Sequence, residues 1–232
     1  MILRKWEDLP EEMHTPEVRR YYEILAKHKT SLFLKRTFDI VISSVMIVFL
    51  AIPMLIISIL IAIDSPGGVF YRQTRVTTYG KEFRIHKFRT MVANADKIGS
   101  LVTVGQDRRI TKIGSFLRKY RLDELPQLLD ILNGSMSYVG TRPEVPKYVK
   151  QYTSEMRATL LLPAGVTSEA SIRYKDEAEL LEEATDVDKV YIEQVLPGKM
   201  KYNLLAIEKF SFFGEIATMF RTVLAVLGKD YE

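Results

Sequence analysis

Asp123 and Glu124 stand side by side between a basic run, Arg118-Lys119-Tyr120-Arg121, and a leucine-rich stretch. Leu125, Leu128, Leu129 and Leu132 recur at helical spacing, Asn133-Gly134 ends the run, and Pro126 is tolerated only near a first turn. A short helix therefore begins here, with Asp123 at or next to its N-cap. One reading is structural: Asp123 caps the helix, a contribution of about 0.5–2 kcal/mol, and Glu124 suits the positive end of the dipole. The other is chemical. A carboxylate kept ionised by neighbouring guanidinium groups is a nucleophile or a ligand for a divalent cation. The two residues alone do not choose between these readings.

Further cations fall at constrained positions. Phe83-Arg84-Ile85-His86-Lys87-Phe88-Arg89 alternates apolar and basic residues, so a strand puts Lys87 and Arg89 on one face. Such a strip is usually solvated, but beside a membrane it could hold phosphates. Arg142 lies between Gly140 and Pro143, in a loop that restricts where its guanidinium points.

The element that must place this chemistry is the run from Ile40 to Ile63, which contains no charged residue. At about 1.5 Å per residue it is long enough to enter a hydrocarbon core about 30 Å thick. Pro53 removes a backbone donor near its middle and crowds the carbonyl of Phe49, which predicts a kink. Arg19, Arg20, Lys27, Lys29, Lys35 and Arg36 precede the run, and Arg72, Arg75, Lys81, Arg84, Lys87 and Arg89 follow it. With both flanks basic, neither end is favoured outside, so a re-entrant helical hairpin with both ends in the cytoplasm is expected over an ordinary crossing. The net charge of +4 is mild and no aromatic-interleaved binding motif accompanies it, so the basic flanks suit an anionic membrane surface and not nucleic acid. None of the 232 residues is cysteine, which excludes disulfides and thiolate metal sites among them. About forty mostly polar residues precede the apolar run and no small-residue cleavage site follows it, so the segment is expected to be retained.

Three regions follow: a polar and amphipathic extension over 1–34 with a helix from Pro16 to His28, a membrane helix over 35–64, and a catalytic domain over 65–232. Asp39 is expected in a surface ion pair with Lys35 and Arg36. Strands are expected at 69–73, 83–89 and 136–140, with a strand-like stretch at Ala170–Tyr174. Helices are expected at 113–120, 144–152, 154–161, around 176–184, at 187–209 with an interruption at Pro197-Gly198, and at 213–227. Residues 92–112 read as polar and mobile. The fold class is α/β, mostly α with a small β element, on a monotopic membrane protein.

Lys35-Arg36-Thr37-Phe38-Asp39, Lys87-Phe88-Arg89-Thr90-Met91, Arg118 with Asp123-Glu124-Leu125-Pro126-Gln127, and Met136-Ser137-Tyr138-Val139-Gly140-Thr141-Arg142-Pro143 occur in one order. That ordered set resembles the bacterial sugar transferase family, the small monotopic polyprenyl-phosphate phosphoglycosyl transferases. The resemblance implies transfer of a sugar-1-phosphate from a UDP-sugar to polyprenyl phosphate, releasing UMP, at the cytoplasmic face of a bacterial inner membrane. It implies Asp123 as nucleophile and metal ligand, Glu124 as its partner, and Mg²⁺ as cofactor. Lys87, Arg89, Arg118, Gln127 and Arg142 match phosphate- or substrate-binding positions, and Pro53 the membrane break. The expected partners are the UDP-sugar, polyprenyl phosphate and the inner leaflet; a homo-oligomer is left open. Four departures stand out: Ala51-Ile52-Pro53 replaces the usual Ser-Pro break, Gly134-Ser135 the usual Gly-Asp, Gly140-Thr141-Arg142-Pro143 the usual Gly-Pro-Arg-Pro, and Ser168 the second glycine of a Pro-Gly-Ile-Thr-Gly segment. A non-catalytic membrane scaffold and a lipid-phosphate phosphohydrolase are the competing readings.

Overall fold

The computed structural model describes residues 3–95, 107–174 and 186–226. The helix expected around 176–184 and most of the polar stretch 92–112 lie outside them. In chain order the described elements are α1 (Pro16–Lys27), α2 (Lys29–Asp64), β1 (Phe70–Val76), β2 (Glu82–Phe88), α3 (Lys112–Lys119), α4 (Gln127–Asn133), β3 (Met136–Val139), α5 (Pro146–Val149), β4 (Ala164–Thr167), α6 (Glu169–Arg173), α7 (Val187–Val190), α8 (Leu196–Glu208) and α9 (Phe212–Val226). Antiparallel β1–β2 and parallel β3–β4 form two small sheets, so the protein is mostly helical with a minor β component.

Among the described residues α2 is the one helix long and apolar enough to cross a membrane. It begins at Lys29, six residues before the expected start, and runs to Asp64 as a single helix with Pro53 inside it. A stripe including Ile47, Leu50, Met54 and Ile57 packs on the rest of the chain, while Val48, Phe49, Ile52, Leu55 and Ile63 are exposed. Both flanks of this helix enter one core: Leu9, Val18, Tyr21 and Leu25 from before it, with Leu32 of its first turn, pack with Tyr148, Leu161, Tyr191 and Met200 from after it. Leu9, Met13, Val18, Tyr21 and Leu25 of the amphipathic extension are thus part of that core. Tyr21 donates to Glu155 at 2.7 Å and Arg20 pairs with Glu208 at 2.6 Å.

Asp39 makes no surface ion pair: it is 3% exposed and its Oδ1 accepts the Tyr138 N–H at 3.3 Å. Lys35 instead donates to the Val139 carbonyl and the Glu215 carboxylate, and Arg36 donates to the carbonyls of Ile131 and Leu132. Glu169–Arg173 form helix, not strand, because Ser168 accepts the Ser171 N–H as an N-cap, and Tyr174 follows as the C-cap; the strand lies earlier, over 164–167. Pro197 does not interrupt a helix. It sits in the first turn of α8, where its missing N–H costs nothing, and a π-helical turn at Tyr191–Val195 links α7 to α8.

Candidate active site

Asp123 lies inside a single 3-10 turn, Leu122–Glu124, that precedes α4. It is not the cap of that helix, whose N-cap position is Pro126. Arg121 enters the turn at φ 57°, in the left-handed region that non-glycine residues rarely occupy. That reversal sets Asp123 and Glu124 between α3, β2 and the loop after β3.

The two carboxylates meet different surroundings. Glu124 accepts Lys87 Nζ at 2.7 Å and Arg142 Nη2 at 2.5 Å, both on Oε1. Burial pushes its carboxyl up, but the charges and hydrogen bonds of Arg142 and Lys87 outweigh that and hold it well below the usual carboxylate range. Asp123 is 9% exposed and, among the described residues, makes no ion pair or hydrogen bond to another side chain. Burial raises its carboxyl; the Lys87 ammonium opposes this, the Glu124 carboxylate adds to it, and Arg118 opposes it again. Burial also pulls the Lys87 ammonium down against the opposing charge of Glu124. The pair therefore consists of one carboxylate fixed by two cations and one left available to a ligand.

Close backbone approaches position the cations. A Cβ on Gly114 would lie 2.0 Å from the Thr90 carbonyl oxygen, so α3 rests directly on the end of β2, and Arg118 Nε donates to Thr90 Oγ1 at 3.1 Å. The far end of α2 is tied to the same helix: Asp64 accepts the Ile113 N–H at 3.1 Å. Gly140 and Gly165 cross so closely that a Cβ on Gly165 would lie 2.2 Å from the Gly140 nitrogen. The Gly165 N–H donates to Thr141 and the Gly140 N–H to Thr167, which holds the Arg142 loop against β4. The His86 N–H and ring both bond Asp130, fastening the strand that bears Lys87 to α4.

Of the residues singled out from the sequence, Lys87, Arg118, Asp123, Glu124 and Arg142 come together. Arg89 lines the same cavity as Asp123, with its guanidinium donating to the carbonyls of Ile61, Ser65 and Pro66 at the C-terminal end of α2. Gln127 is 2% exposed beside Glu124, and neither its amide oxygen nor its nitrogen has a partner among the described residues. Thr90, Gly114, Asp130 and Asp64 were not singled out as site-builders. Their contacts span 24 to 49 positions, and the one sequence signal was that Thr90 sits within the Lys87–Met91 motif. No group of three or more metal-ligating side chains occurs among the described residues.

On the Asp123 side lies a cavity of about 380 Å³ whose wall includes Arg72, Gln73, Arg75, Lys87 and Arg118. Asp123 of the buried pair thus lines a basic cavity, in a chain whose exposed apolar helix is a candidate membrane anchor. The chain belongs to the bacterial sugar transferase family, whose family model matches residues 30–229. Its relatives include a UDP-N-acetylgalactosamine-undecaprenyl-phosphate N-acetylgalactosaminephosphotransferase of Aeromonas hydrophila, 31% identical over 84% of this chain and 44% of that protein. A UDP-glucose:undecaprenyl-phosphate glucose-1-phosphate transferase of Escherichia coli K12 is 33% identical over 82% of this chain and 39% of its own length. A putative undecaprenyl-phosphate N-acetylgalactosaminyl 1-phosphate transferase of Bacillus subtilis is 39% identical over 60% of this chain and 79% of its own length. The chain thus spans less than half the length of the first and second of these.

Proposed function

We propose that this chain transfers a sugar-1-phosphate from a UDP-sugar to a polyprenyl phosphate at the cytoplasmic face of a bacterial inner membrane. The observation that carries the reading is the asymmetry of the dyad: Glu124 is clamped by Lys87 and Arg142, while Asp123 faces a basic cavity with its carboxylate uncommitted. An Asp123 oxygen attacks the β-phosphorus of the donor. The bond from that phosphorus to the bridging oxygen breaks, and UMP departs with the electron pair. An oxygen of the acceptor phosphate then attacks the same phosphorus and displaces the Asp123 carboxylate, giving polyprenyl-diphosphate-sugar. A covalent intermediate lets the lipid arrive after the nucleotide has gone.

Arg118 and Lys87 offset the repulsion between the Asp123 carboxylate and the phosphoryl oxygens. Glu124 holds Lys87 and Arg142 in place. A single uncommitted carboxylate suits Mg²⁺, which is commonly held by one or two carboxylates and completed by substrate phosphates and water. Asp123 would hold it, and the ion would supply charge neutralisation of the diphosphate.

The re-entrant path of α2 is part of the proposal. Residues before and after this helix share one core, and a stripe along its length rests on that core's domain. A straight crossing would drag the domain into hydrocarbon, whereas a helix that enters and leaves at one face keeps it in water. Incubating the chain with candidate UDP-sugars and undecaprenyl phosphate, and reading UMP, tests the function. UMP release with formation of lipid-linked sugar supports it; inorganic phosphate release without a UDP-sugar, or nucleotide binding without turnover, contradicts it.

A further inference from the structure

A second basic cavity, of about 270 Å³, opens at the far end of α4 from the dyad, where the first part of α2 meets the β1–β2 turn. Its charged wall is Arg4, Lys35, Arg36 and Lys81 with one carboxylate, Asp39. Lys35 is matched by Glu215 at 2.6 Å. The other three cations have no carboxylate partner among the described residues. Arg36 donates to the Ile131 and Leu132 carbonyls, Arg4 lies over the Tyr79 ring at 4.6 Å, and Lys81 is exposed without a side-chain hydrogen bond or ion pair among those residues. Asp39 is itself engaged, its Oδ1 accepting the Tyr138 N–H. Arg36 also covers the carbonyl end of α4, whose partial negative charge would otherwise repel an anion.

Ser135 is what leaves this cavity so basic. The usual Gly-Asp of the family pattern would place an aspartate at that position, which lines the cavity. Its neighbour Gly134 lies against Arg36: a Cβ there would be 3.2 Å from Arg36 Nη2. An aspartate at 135 would bring a carboxylate to that guanidinium; serine brings a hydroxyl. The side chains of Ser135 and Thr78, both in the wall, make no hydrogen bond among the described residues, so two uncommitted donors accompany the cations.

The place of the cavity along α2 identifies the source of an anion. Arg36 precedes Ile40, the start of the charge-free run, by one helical turn, about 6 Å. Ile40 and Val41 are exposed. On a helix that enters hydrocarbon at that run, Arg36 stands at the level of the lipid headgroups.

We propose that this cavity binds a phosphate ester, the phosphodiester headgroup of an anionic glycerophospholipid, and that it does so because Ser135 replaces the aspartate. Arg4, Arg36 and Lys81 supply the charge, and Ser135 and Thr78 supply hydrogen bonds. The bound lipid pins the first part of α2 to the domain. The site rests on the membrane placement proposed for α2; no step of the reaction passes through it.

Calorimetric titration of the full chain in non-ionic detergent tests this. The probes are dihexanoyl phosphatidylglycerol below its micelle concentration, dihexanoyl phosphatidylcholine and glycerol phosphate. Saturable binding of the anionic lipid is expected, with the other two at least about tenfold weaker. Ser135→Asp, which restores the family residue, and Lys81→Glu, at an exposed position, should each weaken that binding about tenfold or more. Lys29→Glu makes the same charge change as Lys81→Glu on an exposed part of α2 outside the cavity and should leave binding within about twofold. Absence of saturable binding, unchanged binding in Ser135→Asp, or equal loss in Lys29→Glu would overturn the site, and equal binding of glycerol phosphate would overturn its assignment to a lipid. Anionic-lipid binding with this pattern in a chain that releases no UMP from any UDP-sugar would sink the transferase reading while supporting the site.

Discussion

Asp123 and Glu124 are adjacent in sequence, yet the structure gives them opposite consequences for stability. The folded state lowers the Glu124 carboxyl, so ionised Glu124 contributes stability that is fully present above its unfolded value of 4.5 and is lost as pH falls through the depressed folded value. Asp123 is raised by burial, so its ionised form costs stability at neutral pH, a cost that disappears as acid protonates it. Two substitutions of equal size should therefore move the melting temperature at pH 7 in opposite directions. Asp123→Asn should raise it, the usual exchange of activity for stability. Glu124→Gln should lower it, at a cost of about 3 kcal/mol, because Lys87 and Arg142 lose their shared anion. Thermal melts of both variants check this, and shifts of the same sign would contradict it. The same burial sets where Asp123 titrates. In the metal-free chain without donor, an NMR titration of the Asp123 carboxyl should therefore lie above 3.8, the ordinary aspartate value. A titration at or below that value would contradict the raised carboxyl.

The elements matter chiefly through how closely their backbones approach. Gly114 lets α3 lie on the Thr90 carbonyl, and that contact aims Arg118 at the cavity. Gly114→Val should destabilise the fold by about 1–3 kcal/mol through overpacking and raise the KM for the UDP-sugar about tenfold. Ser115→Val, one exposed position along, should do neither; melts and donor kinetics that match between the two would refute the positioning role. This level was only partly legible in the sequence. The strand bearing Lys87, the short helix after the dyad and the restricted Arg142 loop could be read because each depends on neighbouring residues. The helical identity of residues 169–173 was missed because a five-residue helix has too few turns to display its period. The Gly140–Gly165 crossing, the Asp64 tie to α3 and the burial of Asp39 depend on partners far along the chain. Local pattern carries no information about such partners.

For the whole molecule, the apolar helix and the reaction belong to one design. Arg36 bonds the end of α4, whose start follows the dyad, and Asp64 bonds the start of α3, which carries Arg118. This apolar helix thus grips the candidate site at both ends. The sequence showed the helix and its basic flanks, but not that both flanks share a core, since a core is a property of packing. Single cysteines in place of Pro10 and Phe220, labelled in intact and then permeabilised cells with an impermeant reagent, should both react only after permeabilisation. Opposite sidedness would refute the re-entrant path.

The central claim is that Asp123 carries the sugar phosphate between donor and acceptor. Intact-protein mass spectrometry after mixing the chain with a UDP-sugar, in the absence of any lipid acceptor, tests it directly. The expected result is a mass increase equal to one sugar phosphate, located on Asp123, matched by released UMP, discharged by polyprenyl phosphate and absent from Asp123→Asn. UMP released only when the lipid is present, with no adduct at any time, would contradict it.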